Sequence, residues 1–121
     1  ISALAQAKAA NYCGQAIVLR EYGLPVDSFE KLYLAGGFAN YVNESNAIGI
    51  GFIANMPIEK VRKVGNVSLE GAVIMLLSTA KRSEIEKLTA TVQHVELETA
   101  PDFFDFFVEG CMFKPMEFVI S

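Results

Sequence analysis

Clustered cysteines and histidines, long apolar runs and dense basic patches are all missing from this 121-residue chain. Cys13 and Cys111 are its two cysteines, far too separated for a metal or cluster motif, and two lone thiols suit a reducing cytoplasm. His94 is the single histidine. Ten Lys and Arg stand against fourteen Asp and Glu, a formal net charge of −4. The densest basic group is only Lys60, Arg62 and Lys63. That balance argues against nucleic acid, because binding a phosphate backbone needs concentrated cationic side chains. The run Ala72-Val73-Ile74-Met75-Leu76-Leu77 is too short to span a membrane. No basic leader with a small-residue cleavage site is present, and neither G-x-G-x-x-G nor the phosphate-loop lysine pattern occurs. With Ile1 in place of Met, the expectation is a C-terminal piece of a larger multidomain protein.

What remains is the composition of a folded domain, 52% hydrophobic and 20% charged. The length suits one domain over residues 1–121, with roughly two-thirds of the unfolded chain's surface buried. Helix formers fill residues 2–22, and Gly23-Leu24-Pro25 stops that helix. The apolar run Lys31-Leu32-Tyr33-Leu34-Ala35 ends in Gly36-Gly37, the pattern of a buried strand entering a turn. Asn43 to Asn46 offers caps for a helix to about Ile50, and 61–64 reads as a second strand. Leu69, Ala72, Val73, Leu76, Leu77 and Ala80 keep helical spacing, which predicts a central, largely buried helix. A polar helix over about 83–91, a strand over 92–97 and a last helix opening at Pro101 complete the reading. The alternation predicts a single α/β domain with a short sheet packed by helices.

A strand that ends in two glycines brings bare backbone to its carboxyl end, where open α/β sheets bind ligands. Without Cβ atoms, Gly36 and Gly37 let a flat purine or a ribose approach closely. Phe38 and Asn40 follow as candidates for packing and hydrogen bonding. Gly65-Asn66 repeats the arrangement at the end of the second strand. Gly71 inside a helix costs about 1 kcal/mol relative to Ala, so close helix packing would explain Gly71-Ala72. Taken alone, a glycine pair after a strand is more often an ordinary turn.

Leu32-Tyr33-Leu34-Ala35-Gly36-Gly37-Phe38 resembles the adenosine motif of the superfamily of acetate and sugar kinases, heat-shock chaperones and actin. Gly65-Asn66 through Gly71-Ala72 resembles the connecting-helix motif that follows it. More narrowly, residues 1 to about 115 resemble the C-terminal part of the reductive activators of corrinoid proteins. The matches run in order through Ala7-Lys8-Ala9-Ala10, Gly14, Ala47-Ile48, Ile50-Gly51, Pro57 to Arg62 and Pro101-Asp102-Phe103. Ala39 departs from the pattern, which has glycine there and so a tighter turn.

The resemblance implies an actin-like ATPase lobe of the ribonuclease H-like type. Its cofactor would be ATP, contacted by Gly36, Gly37, Phe38, Asn40, Gly65 and Asn66. The phosphate-binding segments, Mg²⁺ ligands, catalytic residues and iron–sulfur cluster would belong to the parent protein, with none of them in this chain. The implied reaction reduces an inactive cob(II)alamin to cob(I)alamin in a methyltransferase system. Its partners would be a corrinoid protein and the remaining lobe and ferredoxin domain of the parent; a second copy of the chain, forming a homodimer, is a further candidate that the resemblance does not decide. Two other readings stay open: a non-catalytic docking or dimerisation module, and a lobe of a small-metabolite kinase.

Several residues have plainer readings. Lys8 reads as an exposed helix lysine, and His94 as a solvent-facing residue opposite Val95 and Leu97. Asp102, Asp105 and Glu109 interleave with Phe103, Phe104, Phe106 and Phe107 as a wet face and a core face, with an interface as the alternative for the aromatic cluster. Cys111 reads as a small buried hydrophobe beside that cluster.

Overall fold

The computed structural model describes residues 2–117. Its contacts divide the chain into two compact units, one comprising Ile1–Leu32, Val42–Arg62 and Val95–Ser121, the other Tyr33–Tyr41 and Lys63–His94.

The first unit is organised by α1 (Ser2–Tyr22), with Gly23 closing it through a hydrogen bond from its N–H to the Leu19 carbonyl at 3.0 Å. Lys8, Ala9, Tyr12, Cys13, Ala16 and Ile17 are buried, pairs repeating every four residues along one stripe of the helix. Tyr12 and Ala16 join Ala54 and Met116 in the core, with Val26, Leu32 and Phe106 packed against it. The carboxamides of Asn11 and Gln15 both donate to the Phe52 carbonyl, and Gln15 Oε1 accepts the Ala54 N–H at 2.9 Å. Two polar side chains thereby fix the loop that follows α2 (Glu44–Gly49). Asn43 caps α2 as its sequence predicts, accepting the Asn46 N–H at 2.9 Å.

The helix α5 (Phe103–Gly110) packs along α1 and approaches it most closely at Gly110. A Cβ there would lie 2.9 Å from Ala9 Cα and 3.0 Å from Tyr12 Cβ, so only glycine admits this spacing. The Lys8 ammonium donates to the carbonyls of Gly110 and, at 2.6 Å, Met112, with the rings of Tyr12 and Phe113 5.5 and 5.7 Å away. A cation on the last carbonyls of a helix also complements its dipole. Lys8 is 1% exposed, which corrects the reading of a solvated helix lysine. Burial holds its pKa below the ordinary lysine value, against a smaller opposing influence from Cys111. Burial, followed by the Glu109 carboxylate, pushes the Tyr12 hydroxyl up to about 12. Arg20 pairs with Asp102 across the same helix interface, and that bond lowers the Asp102 pKa.

The aromatic cluster divides. Phe103, Phe106 and Phe107 are half-buried, with Phe103 and Phe107 stacked at 6.1 Å, whereas Phe104 is exposed. Cys111 is half-buried; the enclosed thiol is Cys13, whose pKa burial raises.

In the second unit, β1 (Leu32–Ala35) and β2 (Val61–Gly65), which run into it from the first, form a two-stranded parallel sheet. Beyond the sheet, α3 (Val67–Leu77) and α4 (Thr79–Thr89) pack together. One apolar helix extending to Ala80 was the expectation, but the chain breaks at Ser78, which has extended backbone at φ −134° and ψ 111°. Its side chain caps α4 by accepting the Lys81 N–H at 3.2 Å, while Arg82 donates to the carbonyls of Met75 and Leu76 and closes α3. The expectation that this helix is largely buried is also corrected. No residue of α3 is buried, and Leu76 and Leu77 are 75% and 78% exposed. An apolar helix buries only what its surroundings cover, and α4, its packing partner, is mostly polar. Gly71 has nothing within 4 Å of a built Cβ, so close helix packing does not account for it among the described residues. The segment 92–97 forms no strand, since its alternation meets no neighbouring strand; His94 is exposed.

Candidate functional site

All six residues expected at the nucleotide contact, Gly36, Gly37, Phe38, Asn40, Gly65 and Asn66, fall within the second unit. The two strand ends are tied to each other: the Gly36 N–H donates to the Gly65 carbonyl at 2.8 Å. Both residues take left-handed backbone, φ +99° at Gly36 and +67° at Gly65, where a side chain would be strained. No atom lies within 4 Å of a Cβ built on Gly36, Gly37 or Gly65. These positions are therefore bare backbone facing open space at the carboxyl ends of two parallel strands, where α/β sheets receive ligands.

After the glycines the chain winds into a 3₁₀ turn over Phe38–Tyr41, held at its start by the Ala39 N–H on the Gly36 carbonyl at 3.2 Å. Ala39 is the buried residue of this turn. Phe38 is 74% exposed, which excludes a core role for it within this chain. Tyr41 is 87% exposed and escaped notice in the sequence. In a 3₁₀ helix residues three apart eclipse, so Phe38 and Tyr41 share one face of the turn. The three-residue spacing of two aromatics just after a glycine pair was the signal available for Tyr41. Asn40, on the same turn, is exposed.

Asn66 carries a duty the sequence reading did not assign. Its Oδ1 accepts the Leu69 N–H at 3.2 Å as the N-cap of α3, which commits the oxygen of its amide to the helix start. Glu70 lies in the first turn of that helix. Carboxylates and thiols do not converge here: among the described residues no group of three or more His, Cys, Asp or Glu could hold a metal ion. Also among them, no helix is long and apolar enough to cross a membrane.

The first unit holds a separate apolar cleft of about 180 Å³, lined by residues that include Val18, Leu19, Phe29, Leu32 and Met56. It is smaller than the roughly 300–1,000 Å³ of pockets that enclose drug-sized ligands. Its walls are mostly apolar, with Gln15 and Lys31 the polar residues on its lining.

A parallel strand pair with helices before and after it is consistent with the α/β lobe of an actin-like fold, and the family comparison makes that assignment. The family model described as the C-terminal domain of RACo, the ASKHA domain, matches residues 1–120, and the chain belongs to that family. A relative from Eubacterium limosum, the corrinoid activation enzyme RamQ, is 32% identical over 113 residues. That match covers 93% of this chain and 19% of the relative, so the chain spans about a fifth of that protein's length.

Proposed function

We propose that this chain is the adenosine-binding lobe of an ATP-dependent enzyme that activates a corrinoid protein. The glycine tie carries the reading: the Gly36 to Gly65 hydrogen bond joins two strand ends beneath open space, where a purine nucleoside can lie against backbone. Gly36 and Gly37 admit the ribose and base edge, and the exposed rings of Phe38 and Tyr41 offer aromatic surface to the base. Asn40 and Asn66 supply polar side chains at the rim.

In the whole protein, ATP use would help drive reduction of an inactive cob(II)alamin to cob(I)alamin for a methyltransferase system. The phosphate and Mg²⁺ contacts would come from the other lobe. Two distant cysteines cannot ligate a four-cysteine iron–sulfur cluster, so the electron source would sit in a separate ferredoxin-like domain. Membership of the family and the name of the relative support the corrinoid protein as partner.

The exposed apolar residues of α3 favour a second reading, in which this chain is a docking or dimerisation module without a nucleotide. Titrating ATP and ADP into the complete gene product and its Gly37→Val variant separates the two. The nucleotide reading expects affinity to fall at least about tenfold, a loss of about 1.4 kcal/mol. Unchanged affinity, or no binding by either protein, leaves the docking module.

A further inference from the structure

The apolar cleft of the first unit has no part in the nucleotide reading, yet its walls are fixed in place. Ala54 and Met56 on its lining are 4% and 6% exposed, and Leu19, Val26, Phe29 and Leu32 are half-buried. Polar ties hold both sides. On one side, Gln15 Oε1 accepts the Ala54 N–H and its amide donates to the Phe52 carbonyl, each at 2.9 Å. On the other, the Lys60 ammonium donates to the carbonyls of Asp27 and Phe29 at 3.2 and 2.9 Å. The Ser28 hydroxyl donates to the Pro25 carbonyl at 2.7 Å, and the Tyr22 ring stands 5.8 Å from that of Phe29. A cleft whose walls are set in advance binds without the cost of ordering them.

The polar residues of the lining differ in what they have left to offer. Gln15 is spent on the main chain of the loop that follows α2. Lys31 is exposed, is the one charged residue on the lining, and makes no ion pair or side-chain hydrogen bond among the described residues. Its ammonium complements an anion, and the rest of the lining accepts hydrocarbon. Size narrows the class further. An apolar cavity of roughly 150 Å³ takes benzene, so the cleft's volume of about 180 Å³ suits a body of about six carbons.

We propose that this cleft is a binding site for a small monocarboxylate whose apolar body has about six carbons. The hydrocarbon lies against Leu19, Val26, Phe29 and Leu32, and the carboxylate meets the Lys31 ammonium. A neutral hydrocarbon would leave that ammonium unused, and a cationic amphiphile would be repelled by it. The site is independent of the nucleotide reading, because the glycine turn belongs to the other unit.

Hexanoate, hexanol and hexylammonium, each titrated into the complete gene product and followed by backbone amide resonances, test it. Hexanoate should give saturable shifts at Val18, Leu19, Phe29, Leu32 and Met56, and hexylammonium should bind more weakly. Lys31→Met should weaken hexanoate by about threefold to fivefold, as loss of an exposed ion pair does, and leave hexanol unchanged. Val18→Phe adds a ring at a half-exposed position of the lining and should abolish saturable binding of both. No saturable shift at the cleft would mean that it is closed or already filled by polypeptide, and overturns the proposal. Hexylammonium binding as tightly as hexanoate, with Lys31→Met silent, overturns the carboxylate class. Shifts centred on the exposed apolar residues of α3 would reveal non-specific amphiphile binding and overturn the site.

Discussion

The helices α1 and α3 invert the usual relation between composition and burial. α3 is apolar around most of its circumference and buries none of its eleven residues; α1 is far more polar and buries six, one of them a lysine. The difference lies in what surrounds each helix. In the first unit, α5, the loop after α2 and the segment through Met116 close over α1, and Asn11, Gln15 and Lys8 bind backbone carbonyls that packing would otherwise strand. In the second unit α3 has α4 beside it, a helix that is itself mostly polar. Hydrophobicity states that a helix needs cover; whether it finds cover depends on the rest of the fold.

The largest expected effect comes from the lysine. Lys8→Ala removes the donor to two carbonyls and leaves a cavity, for a loss of about 3–5 kcal/mol in denaturant unfolding. Leu76→Ala on α3 of the isolated chain should move stability by no more than about 0.5 kcal/mol, because an exposed side chain has little to lose. Equal costs at the two positions would erase the contrast between the units.

Glycines sharpen it next. Gly110→Ala forces a methyl into the backbone of Ala9 and should destabilise by about 1–3 kcal/mol. Gly71→Ala meets open space in a helix and should stabilise the isolated chain by about 0.5–1 kcal/mol. If polypeptide outside the chain covers α3, that gain should shrink or reverse in the complete gene product.

Alkaline pH separates two groups of the first unit. The Tyr12 pKa is raised from 10.0 to about 12, so the folded state holds its proton after the unfolded state has released it. The contribution is full below pH 10 and is lost as pH rises to about 12, on the order of 2 kcal/mol. Lys8 acts with the opposite sign. Its folded pKa is lowered, so stability rises with pH between that value and its unfolded 10.5. Unfolding measured across alkaline pH should therefore show a rise and then a fall for the native chain. Lys8→Met should keep only the fall.

The smallest effect is expected at the Arg20–Asp102 pair. Asp102 has a lowered folded pKa, so its contribution is present above 3.8 and fades as pH falls through the folded value. Asp102→Asn should flatten the acid limb of the stability profile and leave neutral pH nearly unchanged.

Local signals made much of this legible. Gly23 and Pro25 end α1, Asn43 caps α2, and the apolar run before Gly36-Gly37 is β1. The glycine turn was legible too, because two glycines at a strand end are a backbone feature that needs no tertiary partner. Lys8 was misread although its position carried a clue: it lies one residue before Ala9 and four before Tyr12, on the buried stripe. A lysine on such a stripe is buried only if carbonyls meet it, and those belong to Gly110 and Met112, about a hundred residues away. The break at Ser78 was hidden because the apolar spacing runs on to Ala80, and a serine cap looks the same as a tolerated helix serine. The cap role of Asn66 was readable from an asparagine at the start of an apolar helix, but ligand-facing expectations obscured it. The fate of α3 was not legible at all, because burial is a property of neighbours.

The central claim is that the nucleoside is bound by the second unit and not by the apolar cleft of the first. Backbone amide resonances of the complete gene product, followed during an ADP titration, test it most directly. The account predicts that the largest perturbations fall on Gly36, Gly37, Tyr41 and Gly65, with Val18, Leu19 and Met56 unmoved. Saturable shifts at the cleft residues with a silent glycine turn, or no saturable shift anywhere, would contradict it.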